Sequence, residues 1–172
     1  MGPLEHGGDR HESDDGVAAS VASGLYNLRF KRRYSLPIQE IWATLTDPER
    51  IGAWLSDADV DLRTGGHFRL RGICEVNGRI VDFEPHSLFA WTWPHPKHPE
   101  SIVRWELFED ESGCRLELRQ SCLSVPELVS IAAGWHTHLG VLPTAARGGL
   151  IAFRVDLENT HAVRYLRNLP TA

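Results

Sequence analysis

From Gly24 onward the chain alternates strictly, with Tyr26, Leu28 and Phe30 on one side and Asn27, Arg29 and Lys31 on the other. A period of two places successive side chains on opposite faces, so this segment reads as a half-buried strand. After Leu36-Pro37 the period lengthens. Ile38, Ile41, Trp42 and Leu45 recur at i, i+3, i+4 and i+7, the stripe of a short amphipathic helix. Asp47-Pro48-Glu49 then offers a capping carboxylate, a proline suited to the first helical position and an acid beside the positive helix end. These features predict a second short helix over about residues 48–55, carrying Ile51 and Trp54.

Between Asp57 and Ser121 the pattern is strand and turn. Val60 and Leu62 alternate with Asp59, Asp61 and Arg63, and a Thr64-Gly65-Gly66 turn leads to Phe68 and Leu70 alternating with His67, Arg69 and Arg71. Val81 and Phe83 precede a turn at Glu84-Pro85-His86-Ser87, followed by Phe89, Trp91 and Trp93. A polar loop from Pro94 to Glu100 separates these from Val103, Trp105 and Leu107, and Asp110 to Gly113 turns into Cys114, Leu116, Leu118 and Gln120. An antiparallel sheet of six to seven strands with one wet face is expected. Leu128, Ile131, Ala132, Trp135, Leu139 and Leu142 then recur at helical spacing, and the sheet is the only apolar partner large enough for that long helix. Pro143 should kink or end it, and Gly148-Gly149 marks a stop. In 150–172, Ala162, Leu166 and Leu169 are spaced for one more short helix.

Composition adds limits. With 172 residues, 42% apolar and 24% charged, the chain suits one compact domain. Its net charge of -5 is uneven, because residues 1–23 hold Glu5, Asp9, Glu12, Asp14 and Asp15 against Arg10 alone. The remainder is nearly neutral and lacks clustered Lys and Arg, which excludes nucleic acid as a partner. The same 1–23 segment has four glycines and no aromatic residue, so it reads as a disordered acidic tail outside the core. Residues 24–149 are then the domain and 150–172 a carboxy-terminal extension. With no 18-residue apolar run and no signal-peptide layout, neither a membrane span nor export is expected, which leaves a cytoplasmic address. Cys74, Cys114 and Cys122 lack Cys-x-x-Cys spacing and predict neither a disulfide framework nor a thiolate zinc site.

Pro37 with Ile41-Trp42, Leu45-Thr46-Asp47-Pro48, Trp54, Gly65-Gly66-x-Phe68, Gly78 with Pro85, Thr92-Trp93, Ser101-x-Val103, Gly134-Trp135 and Leu139 follow one another in a telling order. Over about residues 25–149 the chain resembles the single-domain bacterial relatives of the activator of heat-shock-protein-90 ATPase. Those belong to the START-like (SRPBCC) helix-grip superfamily. The resemblance implies an α+β helix-grip fold, with a curved antiparallel sheet wrapped around a long carboxy-terminal helix and two short helices after the first strand. It also implies an internal cavity, which in the superfamily holds lipids, polyketides or hormones, and no shared catalytic residues. The family name further suggests a stress response role, with a chaperone partner on the outer surface.

The inward positions include Phe68, Phe83, Phe89, Trp91, Trp93, Trp105 and Trp135, to which Trp54 adds one more ring. Flat rings suit a pocket for a planar apolar ligand, and the plainer reading is that they fill the core. Among them, Gln120 and His138 are the polar candidates, with Tyr26 and Tyr34 sharing the inward parity of the first strand. The plainer reading of His138 is a histidine bonded to a backbone carbonyl, and it is the one favoured. His95-Pro96-Lys97-His98-Pro99 and His136-x-His138 invite a metal reading, but neither has a third ligand, and residues two apart on a helix point about 200° from each other. His6 and His11 read as solvated. No nucleophile elbow, P-loop or dinucleotide fingerprint occurs, so no catalytic residue, metal or cofactor is assigned. Arg104 and Glu106 beside Arg115, Glu117 and Arg119 form opposed charge rows on the outer face, a solvated surface or a docking site. The expected function is binding of an apolar, ring-containing small molecule. Three alternatives stay open: a cyclase- or hydrolase-like enzyme using His138, a chaperone regulator using the outer face, and a partner-binding or homodimer-forming module using 150–172.

Overall fold

The structure is a computed structural model and describes residues 14–21, 24–72, 75–95, 99–149, 151 and 155–167. His6, His11, Cys74, Lys97 and His98 lie outside the described residues. The strands are β1 (Val17–Ser20), β2 (Tyr26–Tyr34), β3 (Asp57–Val60), β4 (His67–Arg71), β5 (Val76–Glu84), β6 (Leu88–Trp93), β7 (Ser101–Asp110) and β8 (Gly113–Leu123). Helices α1 (Ile38–Thr46) and α2 (Pro48–Gly52) follow β2, and α3 (Val125–Ala146) and α4 (Val155–Arg167) follow β8. All eight strands form one antiparallel sheet in the order β1-β2-β8-β7-β6-β5-β4-β3. Its apolar face lies against α3, which gives the helix-grip arrangement.

One strand more than expected is present. β1 falls in the acidic segment read as a tail, and it pairs with β2 from Val17↔Arg29 to Ser20↔Tyr26. The uncharged stretch Val17 to Ser20 gains its backbone partners from an edge strand, which local composition does not reveal. Gly16 sets the approach, because a Cβ there would lie 2.5 Å from the Phe30 ring. Three further boundaries differ from the sequence pattern. α2 ends at Gly52, so Trp54 sits in the turn beyond it, with its N–H on the Ile51 carbonyl. β3 stops at Val60 and leaves Leu62 37% exposed. β5 begins earlier, and its register with β6 shifts between Ile80 and Asp82; that irregularity switches the inward parity of β5 from Val76, Gly78 and Ile80 to Phe83, which stands opposite Phe89 and is half-buried.

Two prolines free carbonyls that distant side chains then take up. Pro143 does not end α3 but sits in its last turn, without an N–H for the carbonyl of Leu139 four residues earlier. The buried Tyr34 hydroxyl donates to that carbonyl at 3.0 Å. Burial pushes the Tyr34 phenol above its usual value. Likewise Pro48 follows Thr44 by four, and the Thr44 carbonyl accepts the Trp54 indole N–H at 3.0 Å. The stop occurs at Gly148, whose φ of 73° is left-handed. Ser124 opens α3, its N–H donating to the Glu127 carboxylate at 2.9 Å.

The outer face carries the expected charge rows. Directly opposed residues have like charge, Arg104↔Arg119 and Glu106↔Glu117, so attraction runs along the diagonals. Arg119 reaches Glu106 at 3.5 Å and Glu117 at 3.1 Å, and Arg29 reaches Glu117 at 3.1 Å. Burial raises the Glu117 carboxyl, but the Arg29 guanidinium and hydrogen bonds from Arg119 and Arg29 outweigh it and hold the group below the usual carboxylate range.

Candidate functional site

The concave face gathers most of the anticipated rings. Trp105 on β7 stands at the centre, 4.6 Å from Trp91 on β6, 5.9 Å from Phe89, and 6.0 Å from both Trp54 and Trp135. Phe68 on β4 lies 4.3 Å from Trp91, and Trp93 lies 6.3 Å from Trp135 on α3. Edge-to-face and tilted contacts of this kind add about 0.5–1.5 kcal/mol per pair beyond burial. Phe83 stands at the margin of this cluster: it is the register partner of Phe89 and packs against Trp42 of α1 at 5.9 Å.

The polar groups on this face are unequal. Trp135 donates its indole N–H to the Gln120 side-chain oxygen at 2.7 Å, which fixes the amide. The Gln120 amide nitrogen, the Trp91 and Trp105 indole nitrogens and the Ser101 hydroxyl are buried with no hydrogen-bond partner among the described residues. An unmet buried donor costs about 1–3 kcal/mol, so three N–H groups left so close together are a costly arrangement. They share a short stretch of sheet: Trp91 pairs with Val103, Val103 pairs with Gln120, and Trp105 is two residues along β7.

His138 is engaged in holding elements together. Its Nδ1–H donates to the Trp54 carbonyl at 2.7 Å, and its ring stands edge-on to Trp54 at 6.1 Å. Burial pushes the imidazole below its usual range, against the opposing pull of the Trp54 carbonyl and Glu158. Tyr34 is likewise tied to α3, as described above. His95, at the rim after β6, pairs with Glu127 in the first turn of α3 at 2.8 Å. Among the described residues no three His, Cys, Asp or Glu side chains gather as a metal site, and Cys114 and Cys122 are free thiols.

Two further polar features of the interior were not singled out in the sequence. Arg32 continues the inward row of β2 between Phe30 and Tyr34, only 7% exposed, with its guanidinium 5.1 Å from the Phe30 ring. The alternation that placed Tyr34 inward also placed Arg32 inward. His136 points away from His138 toward α4, where it stacks on His161 at 3.9 Å and lies 3.0 Å from the Tyr165 hydroxyl. No spacing rule links residues in separate helices, so this cluster needed the tertiary structure.

The sequence pattern of the family described as Activator of Hsp90 ATPase homolog 1-like protein matches residues 35–146. The chain is similar to the crystal structure of CalU16 from Micromonospora echinospora, with 28% identity, 89% of this chain and 96% of that chain covered, and a TM-score of 0.74. It shares its fold with a conserved protein of unknown function from Enterococcus faecalis at 19% identity, covering 91% of this chain and 92% of that one, with a TM-score of 0.72. DynU16, described as a putative protein in the dynemicin biosynthetic locus, shares the fold over 70% of this chain and 47% of its own, at 23% identity and a TM-score of 0.64. No curated protein matches the chain. No helix among the described residues is long and apolar enough to cross a membrane.

Proposed function

Because the chain belongs to the Activator of Hsp90 ATPase homolog 1-like family, within the START-like helix-grip superfamily and its ligand-binding fold, we propose that its concave face binds a flat, apolar, ring-containing small molecule bearing oxygen acceptors. One observation supports the reading: the Trp91, Trp105 and Gln120 side-chain N–H groups are buried together without acceptors among the described residues. Apolar rings would supply the affinity and the three donors the orientation. Neighbouring strands lie about 4.8 Å apart, so a ligand reaching from Trp91 to Gln120 spans roughly 10 Å, the width of two or three fused rings. The rings of the face touch one another, so binding requires them to part. A flat molecule needs the least displacement.

Native mass spectrometry of the purified protein tests for a small molecule that travels with it. Flavone is a suitable added probe, followed by the NMR signals of the indole N–H groups. The Trp91 and Trp105 signals should move downfield as they gain acceptors, while that of Trp135, already bonded to Gln120, should move less. Anthracene, equally flat but without oxygen, should bind more weakly. No adduct and no indole shift would sink the proposal. His138→Gln should keep flavone affinity within about tenfold, the worth of one neutral hydrogen bond. Turnover of a co-purifying molecule by the wild type, lost in His138→Gln, would replace binding with catalysis.

A further inference from the structure

A cavity of about 250 Å³ lies beside the β1–β2 edge of the sheet, and no tryptophan lines it. Its floor is Leu28 of β2 with Leu128 and Ala132 of α3. Its roof is Ala18 of β1 and Tyr165 of α4, from segments outside the 35–146 family match. Leu28 is the register partner of Gln120, so the cavity sits one strand away from the aromatic face.

Two sets of contacts link the polar groups at its rim. The Gly16 N–H donates to the Tyr165 hydroxyl at 2.8 Å, and that hydroxyl lies 3.0 Å from His136 Nδ1. Burial holds the His136 imidazole well below its usual range, so the ring is neutral at pH 7. Asp15 pairs with Arg164 across the opening. The rim therefore carries no net charge, and a charged occupant would have to break the Asp15–Arg164 pair. An apolar cavity of about 150 Å³ is known to take benzene, so this one has space for one ring or two fused rings. The roof strand is short, paired on one side only, and leaves Val17 67% exposed, so it is the element that can lift.

We propose that this cavity is a second binding site, for a neutral one- or two-ring apolar molecule, roofed by β1 and α4 and separate from the aromatic face.

The full chain, isotopically labelled, is titrated with toluene and with indole as neutral probes and with benzoate as the charged one. Toluene and indole should move the Gly16 and Ala18 amide signals and the Leu28 and Val129 methyl signals saturably, leaving the Trp91 and Trp105 indole signals in place. Benzoate should move none of them. Ala18→Phe fills the cavity from the exposed edge strand and should weaken both neutral probes about tenfold or more. Val129→Phe fills it from α3 and serves where the first variant disturbs β1. Shifts confined to the tryptophan indoles, shifts untouched by both fillings, or equal response to benzoate would each overturn the second site. If flavone fails at the indoles while toluene still moves Gly16, the aromatic-face reading falls and this one stands.

Discussion

Indole protons divide the tryptophans by role. Trp54 and Trp135 spend theirs on a carbonyl and on an amide oxygen, and so tie the turn after α2 to α1 and α3 to β8. Trp91 and Trp105 find no acceptor for theirs among the described residues, which is why the proposed ligand contacts fall on them. Trp42 is different again, 7% exposed and packed against Phe83 at 5.9 Å and Phe89 at 6.5 Å, so its ring is wedge and filler. Trp42→Ala should cost about 3–5 kcal/mol in urea unfolding, and Trp105→Ala should instead show its larger effect on flavone affinity. Equal losses of stability with unchanged flavone binding would make Trp105 plain core. The inward position of these rings was legible from alternation alone. Which indole proton would lack a partner was not, because that depends on residues brought from other strands and helices.

At the scale of elements, α4 is held by a seam of ionisable groups. His136 of α3 meets His161 and Tyr165 of α4, with Arg164 of α4, Asp15 beside β1 and Arg32 of β2 also facing it. Burial pushes His136 down to about 4, and the neighbouring His161, Arg32 and Arg164 act in the same direction against Asp15. His161 is lowered as well, first by burial and then by Arg164. An unfolded histidine titrates near 6.5, so between about 6.5 and 4 the unfolded chain binds a proton that the folded chain resists. This contribution to stability is complete above about pH 6.5 and falls away as the pH drops toward 4. Thermal melts from pH 7.5 to 4.5 should show a falling midpoint, and His136→Phe should flatten that fall; an unchanged slope would remove the seam as its cause. The spacing of Ala162 and Leu166 announced a helix here. It could not announce a dock, since Leu166 is 56% exposed and the holding residues are His161 and Tyr165.

For the molecule as a whole, the family match spans 35–146, but the packed structure extends beyond it at both sides. β1 continues the sheet past β2, and Gly16 and Asp15 reach α4. Removing residues 1–23 should therefore lower the thermal midpoint by several degrees, at roughly 2–4 °C per kcal/mol for a chain of this size. A midpoint within about one degree would return this segment to the role its composition suggested. Composition misled because the acids and glycines of 1–23 were averaged with a four-residue strand whose partner lies elsewhere. The central sheet was legible because its strands run as consecutive hairpins, each carrying its own turn. The helix-grip order of elements was legible for the same reason.

That sheet order has a consequence in time. β5 to β8 are neighbours in sequence and in space, so short loops close them, whereas β2 joins the sheet by setting Arg29 against Arg119. Closing that span carries a larger entropic cost before any contact rewards it. During folding the β5–β8 meander is therefore expected to form first, with β2 joining it later and bringing β1 with it. Until then the inner faces of Leu116 and Leu118 stand open, the interval in which a growing chain is most exposed to pairing with another.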